Sequence, residues 1–209
     1  MSDLIQICKG DNTQITENFL VSEFYSKSAD APNCHTISNK LIQAVQLVRS
    51  VYDMPICITS TYRTELGNAL IGSNENSRHR TSEGAVDFQA CNPAQNDELI
   101  GQLYAELRDQ GEVYQTLRSL GINGFGYYDD FIHFDVRPEF GYWDNTSGKF
   151  GDIALDGKKK KFSSEILTVI RWRGWIDRLQ EKFAPANKCT RSKCNCTCSN
   201  KKSKKVDGK

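Results

Sequence analysis

The sequence predicts an α+β fold: a small antiparallel sheet with helices packed on it. Three observations carry this. Short β-branched or aromatic runs recur at Ile56–Thr59, Ala85–Phe88 and Gly124–Val136. Between them, apolar residues repeat at three- and four-residue steps, the period of a helix with one buried face. No internal repeat is present, and neither pattern dominates, which favours mixed layers over a bundle or a barrel.

In chain order, residues 1–18 are polar and give no clear period. Phe19–Phe24 reads as a short strand or turn that anchors the start of the fold. Leu41, Val45, Val48 and Tyr52 share one helical face, and Ser38 is a fair N-cap. Met54-Pro55 ends that helix, and Ile56–Thr59 follows as a strand. Ser60–Glu83 is polar and turn-rich. Ala85–Phe88 is a second strand. Asn96 is expected to cap a helix with Leu99, Leu103 and Leu107 on one face. Gly111 and Gly121 are expected stops for it and for a successor carrying Val113, Leu117 and Leu120. Gly124–Val136 reads as a hairpin or strand. Ser163–Phe183 reads as a helix whose apolar face shifts at Gly174, implying a bend there.

The chain has 209 residues, 25% of them charged, which is ordinary globular composition and excludes a collagen-like or wholly disordered chain. No apolar run approaches the ~18 residues of a membrane helix. The net charge of +1 hides an asymmetry. Residues 185–209 hold eight Lys or Arg against Asp207, a charge of +7, and the rest carries −6. The acidic body argues against nucleic-acid binding there; the basic tail leaves contact with nucleic acid or an anionic wall polymer open. The N-terminus lacks a basic, then apolar, export signal, so a cytoplasmic site of synthesis is expected. In that compartment Cys8, Cys34, Cys57 and Cys91 are expected as buried small hydrophobes. Cys189, Cys194, Cys196 and Cys198 crowd the tail, where a thiolate-bound metal or disulfides are both open.

Only three histidines occur. His35 sits in a polar loop without acidic neighbours and is expected to be solvent-exposed. His79 precedes Asp87 by eight residues, and His133 follows Asp130 by three. A catalytic zinc ion needs three protein ligands and an open position for water. His79, Asp87 and His133 supply such a set, with Asp130 as general base. Strict strand alternation would place Asp129 on the face of His133 instead, and Asp129 stays open as the base unless a bulge or turn restores Asp130.

Three blocks then resemble the zinc peptidases that act as D-Ala-D-Ala carboxypeptidases and L-Ala-D-Glu endopeptidases on peptidoglycan stem peptides. They are Ser60-Thr61-Tyr62-Arg63-Thr64 with Asn68; Asn76-Ser77-Arg78-His79 leading to Ala85-Val86-Asp87; and Phe131–Arg137 around His133. The resemblance spans about Phe19 to Asp144. It implies the fold these peptidases share with the hedgehog signalling domain, one zinc on His79, Asp87 and His133, Asp130 as base, and Arg63 facing a substrate carboxylate. A planar guanidinium suits that contact. Seven residues separate His79 from Asp87, one more than the family usually has, which keeps Glu83 as a rival ligand. Asp135 is placed to orient a zinc-bound histidine or to pair with Arg137. The implied domain layout is a lead at 1–18, a zinc peptidase domain at 19–150, a helical extension at 151–184 and a basic Cys-rich tail at 185–209. A wall hydrolase made without an export signal fits a phage lysin that acts after release, or a hydrolase carried in a virion. The alternative is a non-catalytic wall-binding or virion module that keeps the metal as structure.

Overall fold

The structure, a computed structural model, describes residues 3–147. The expected helix at Ser163–Phe183 and the cysteines of the tail lie outside the described residues. Strand β1 (Leu4–Cys8) pairs antiparallel with β2 (Cys34–Ser38) in a sheet of two. Helix α1 (Asn39–Tyr52) follows directly, and the Ser38 side chain caps it by accepting the Lys40 N–H, as expected. Leu41, Val45, Val48 and Tyr52 are all buried.

The main sheet has five strands: β3 (Ile56–Ser60), β4 (Ala85–Ala90), β5 (Gly124–Tyr128), β6 (Ile132–Asp135) and β7 (Gly141–Asn145). Their spatial order is β3-β4-β6-β5-β7, antiparallel throughout except for the parallel β5–β7 pair at the edge. Alternation divides the sheet into two faces. Val86, Phe88, Phe125, Tyr127, Ile132 and Phe134 enter one core cluster with α1 and with α3 (Pro93–Asp109). Phe134 meets Phe88 and Phe125 edge-on, at centroid distances of 5.0 and 5.3 Å. The intervening residues Asp87, His133 and Asp135 therefore project from the opposite face.

Several expectations are corrected. Phe19–Phe24 is neither strand nor simple turn: Val21–Phe24 forms a 3₁₀ helix. Asn96 is not a cap. Asn92 caps α3, and Pro93 opens it, because proline needs no N–H partner at that position. The break before α4 (Glu112–Ser119) is made by Gln110 in the left-handed region (φ 48°), while Gly111 is the N-cap of α4. Residues 60–83, read as turns, include the short helix α2 (Glu65–Leu70), capped by Thr64. The four body cysteines form two disulfides, Cys8–Cys34 and Cys57–Cys91. Sequence spacing does not reveal this, since β1 and β2 bring Cys8 opposite Cys34 only once they pair. His35 is buried rather than exposed, at 7% of its accessible surface. Its ring stacks on Tyr62, and its Nε2 accepts the Ser26 N–H.

Candidate metal centre

Two of the three central side chains are delivered by the sheet alone. Asp87 on β4 lies directly opposite His133 on β6. Opposed residues of an antiparallel pair have Cβ atoms roughly 4.5–5.5 Å apart, so their side chains must meet. His79 arrives from a loop. It sits in a one-turn 3₁₀ helix, Arg78–Arg80, capped by Ser77, and its carbonyl accepts the Arg63 N–H at 2.8 Å.

The three side chains are buried, and one donor atom of each converges on the same point. Asp87 Oδ1 is 2.7 Å from His133 Nδ1 and 3.1 Å from His79 Nε2, and the two nitrogens are 3.2 Å apart. Each imidazole is tied from behind. His79 Nδ1 donates to the Thr61 carbonyl, and His133 Nε2 donates to Asp135 Oδ2 at 3.1 Å. Those bonds place the protons of the neutral rings on the far nitrogens. Two ring nitrogens and a carboxylate oxygen then face one another at about 3 Å, an arrangement that a shared proton or a metal cation between them satisfies. Ligands about 2.0–2.1 Å from a tetrahedral zinc ion stand roughly 3.3 Å apart, close to this triangle. Two imidazoles and a carboxylate are also a donor set that suits zinc. The residues therefore fit the metal.

Without a cation, these groups also shift one another's ionisation. Burial works to raise the Asp87 pKa, but the two imidazoles outweigh it and hold the carboxyl well below its usual range. Burial holds His79 below its ordinary value, against the pull of Asp87. Burial also opposes charge on His133, yet Asp135 and Asp87 outweigh it and shift that ring upward. Asp135 is depressed because Arg137 and His133 overcome its burial.

The other candidates are placed as follows. Arg63 donates from Nη2 to Asp87 Oδ2 at 2.5 Å and from Nε to Ser60 Oγ at 2.8 Å, so it first steadies the carboxylate. Its Nη1 makes no hydrogen bond among the described residues. The Glu83 side chain is exposed and outside the cluster; its carbonyl accepts the Ser38 N–H. Between His79 and Asp87 the chain turns at Gly84, φ +74°, whose N–H meets Thr81 Oγ1. Asp129, Asp130 and Phe131 connect β5 to β6; Asp129 and Asp130 lie at the tip, where the Tyr128 N–H meets the Phe131 carbonyl at 3.1 Å. Asp129 is engaged by the N–H and hydroxyl of Ser147. The Asp130 side chain is exposed and makes no hydrogen bond among the described residues, while Asn96 holds its carbonyl at 2.8 Å.

Sequence reasoning missed Thr61 as the acceptor behind His79, and it missed Trp143, whose ring lies 5.1 Å from that of His133. The available signal for Trp143 was the alternating pair Gly124 and Gly126. Two glycines on one face of a strand mark a place where something bulky approaches.

Residues 16–135 match the peptidase M15 family. The chain belongs to that family. It is thus a metallopeptidase by descent, and its α+β architecture is compatible with the fold of M15 peptidases, a family of zinc enzymes. No curated protein and no solved structure matches the chain.

Proposed function

We propose that this M15 peptidase uses one zinc ion, held by His79 Nε2, Asp87 Oδ1 and His133 Nδ1, to hydrolyse an amide bond in the stem peptide or cross-link of peptidoglycan. The convergence of three buried donors, each backed by its own hydrogen-bond partner, carries this reading. Bound zinc supplies Lewis acidity and lowers the pKa of water to about 7. Asp130, exposed at the hairpin tip next to β6, takes the proton of the attacking water and returns it to the leaving amine. Arg63 presents Nη1 to a peptide carboxylate while its other nitrogens hold Asp87 and Ser60. The two disulfides suit work outside a reducing cytoplasm, where the cell wall lies.

The test has two parts. Purified protein should contain one equivalent of zinc and clear a peptidoglycan suspension, and a chelator should stop it. Mass spectrometry of the released fragments then names the bond and separates endopeptidase from carboxypeptidase action. Absence of zinc from folded protein sinks the proposal. Bound zinc without cleavage of any wall preparation assigns the chain to the non-catalytic, wall-binding alternative.

A further inference from the structure

Behind His133 lies a chain of contacts that the reaction itself does not use. Asp135 is fully buried and accepts from His133 Nε2. Arg137 grips the same carboxylate, with its Nε 2.8 Å from Oδ1 and its Nη2 on Oδ2, and with its backbone N–H on Oδ1 at 3.0 Å. The guanidinium in turn lies 4.7 Å from the centre of the Trp143 ring, a cation–π distance. The indole N–H donates to the Tyr128 hydroxyl at 2.9 Å, and its ring stands beside His133.

This stack occupies a trough made by missing side chains. A Cβ on Gly124 would fall 2.3 Å from the Asp135 carboxylate, one on Gly126 2.4 Å from the Trp143 ring, and one on Gly141 2.7 Å from Arg137 Nη1. Three glycines on two neighbouring strands thus leave room for one carboxylate, one guanidinium and one indole. Arg137, Gly141 and Trp143 all lie beyond residue 135, where the family match ends.

We infer that Asp135, clamped by Arg137 beneath Trp143, is a positioning residue that holds His133 with Nδ1 turned toward the metal and thereby sets metal affinity. The inference rests on the zinc site proposed above. The fixed carboxylate selects which ring nitrogen carries the proton and locks the ring plane. Without the Arg137 clamp, the carboxylate can rotate, and His133 loses both its orientation and part of its donor strength. Partners of this kind typically affect metal affinity by about 10–100-fold.

The experiment uses the full chain and zinc itself. Competition against a chelator of known affinity gives the zinc Kd of the wild type, Arg137→Gln, Arg137→Lys and Trp143→Leu. Arg49→Gln, which breaks a surface ion pair on α1, is the control. Cobalt-loaded samples of each report ligand geometry through their visible bands, and melts of the chelated proteins report the fold. Arg137→Gln should weaken zinc binding about 10–100-fold and alter the cobalt bands. Arg137→Lys should recover part of the loss, and Trp143→Leu should move in the same direction by less. A variant that melts lower without metal yet binds zinc like the wild type overturns the inference, because Arg137 then braces only the fold. Failure of the wild type to bind zinc overturns the site and the inference together. Tight wild-type binding with an unchanged Arg137→Gln overturns the inference alone.

Discussion

The two histidines of the proposed metal centre are held in different ways. His133 lies in the middle of the sheet, fixed by strand pairing on both sides and by Asp135 behind it. His79 hangs on a loop of residues 61–84, fixed by the Thr61 carbonyl, the Ser77 cap and one backbone bond to Arg63. Sheet register places Asp87 against His133 with no help from the metal. The loop instead relies on many small local bonds, each worth about 1 kcal/mol net. Metal binding should therefore order the His79 side more than the His133 side.

The largest effect should come from removing a ligand. His133→Ala and His79→Ala should both lose stoichiometric zinc and all detectable wall hydrolysis. Hydrogen exchange sharpens the contrast: zinc should slow exchange around Ser77–Thr81 much more than in β4 and β6. Equal protection on both sides would show that the loop is already as rigid as the sheet. Next comes Asp130→Ala, which should keep zinc but lower hydrolysis about 10²–10⁴-fold, or ~3–5 kcal/mol of barrier. Activity within a few-fold of wild type would remove Asp130 from its role.

The disulfides rank third. Cys57–Cys91 ties β3 to the end of β4 on the sheet side, and Cys8–Cys34 joins the strands of the two-stranded sheet that supports the loop. Opening either should lower stability by about 3–4 kcal/mol, given the lengths of the loops they close. Denaturant melts of Cys57→Ser/Cys91→Ser and Cys8→Ser/Cys34→Ser check this. Gly84→Ala follows, at about 1–2 kcal/mol, because a side chain resists the left-handed conformation the ligand loop requires there.

The smallest effect concerns pH. Burial holds His35 below its ordinary pKa, and its Nε2 accepts the Ser26 N–H only while unprotonated. The unfolded chain therefore binds this proton more readily, so the folded state loses stability as pH falls below about 6.5. Melting temperatures of the metal-free protein between pH 8 and pH 5 should fall more for the wild type than for His35→Gln. Parallel curves would assign the acid limb to other groups.

The sheet side was the more legible in the sequence. The strands at Ala85–Phe88 and around His133 are legible as β-rich runs, alternation places His133 and Asp135 on one face, and the helical period of α1 predicts its buried stripe. His79, Asp87 and His133 were found through their chemistry and family resemblance, and the structure brings the three together. The loop side was harder. Thr61 acts through its backbone carbonyl, which leaves no trace in residue type. Asn96 looked like a cap because asparagine favours caps, but its side chain spans from Ala90 to Asp130. His35 looked exposed because its sequence neighbours are polar, whereas Tyr25 and Tyr62 cover it from elsewhere in the chain. The disulfides needed strand pairing that the polar first residues do not announce.

The two-stranded sheet β1–β2 has a practical consequence. Similarity covers residues 16–135, yet the folded unit extends past both limits. A fragment cut at those limits would strand Cys34 as a free thiol and lay β2 bare as a sticky edge, inviting chains to pair with each other. It would also discard Arg137 and the indole over His133. Anyone producing this enzyme in pieces should let strand partners, and not sequence likeness, decide where to cut.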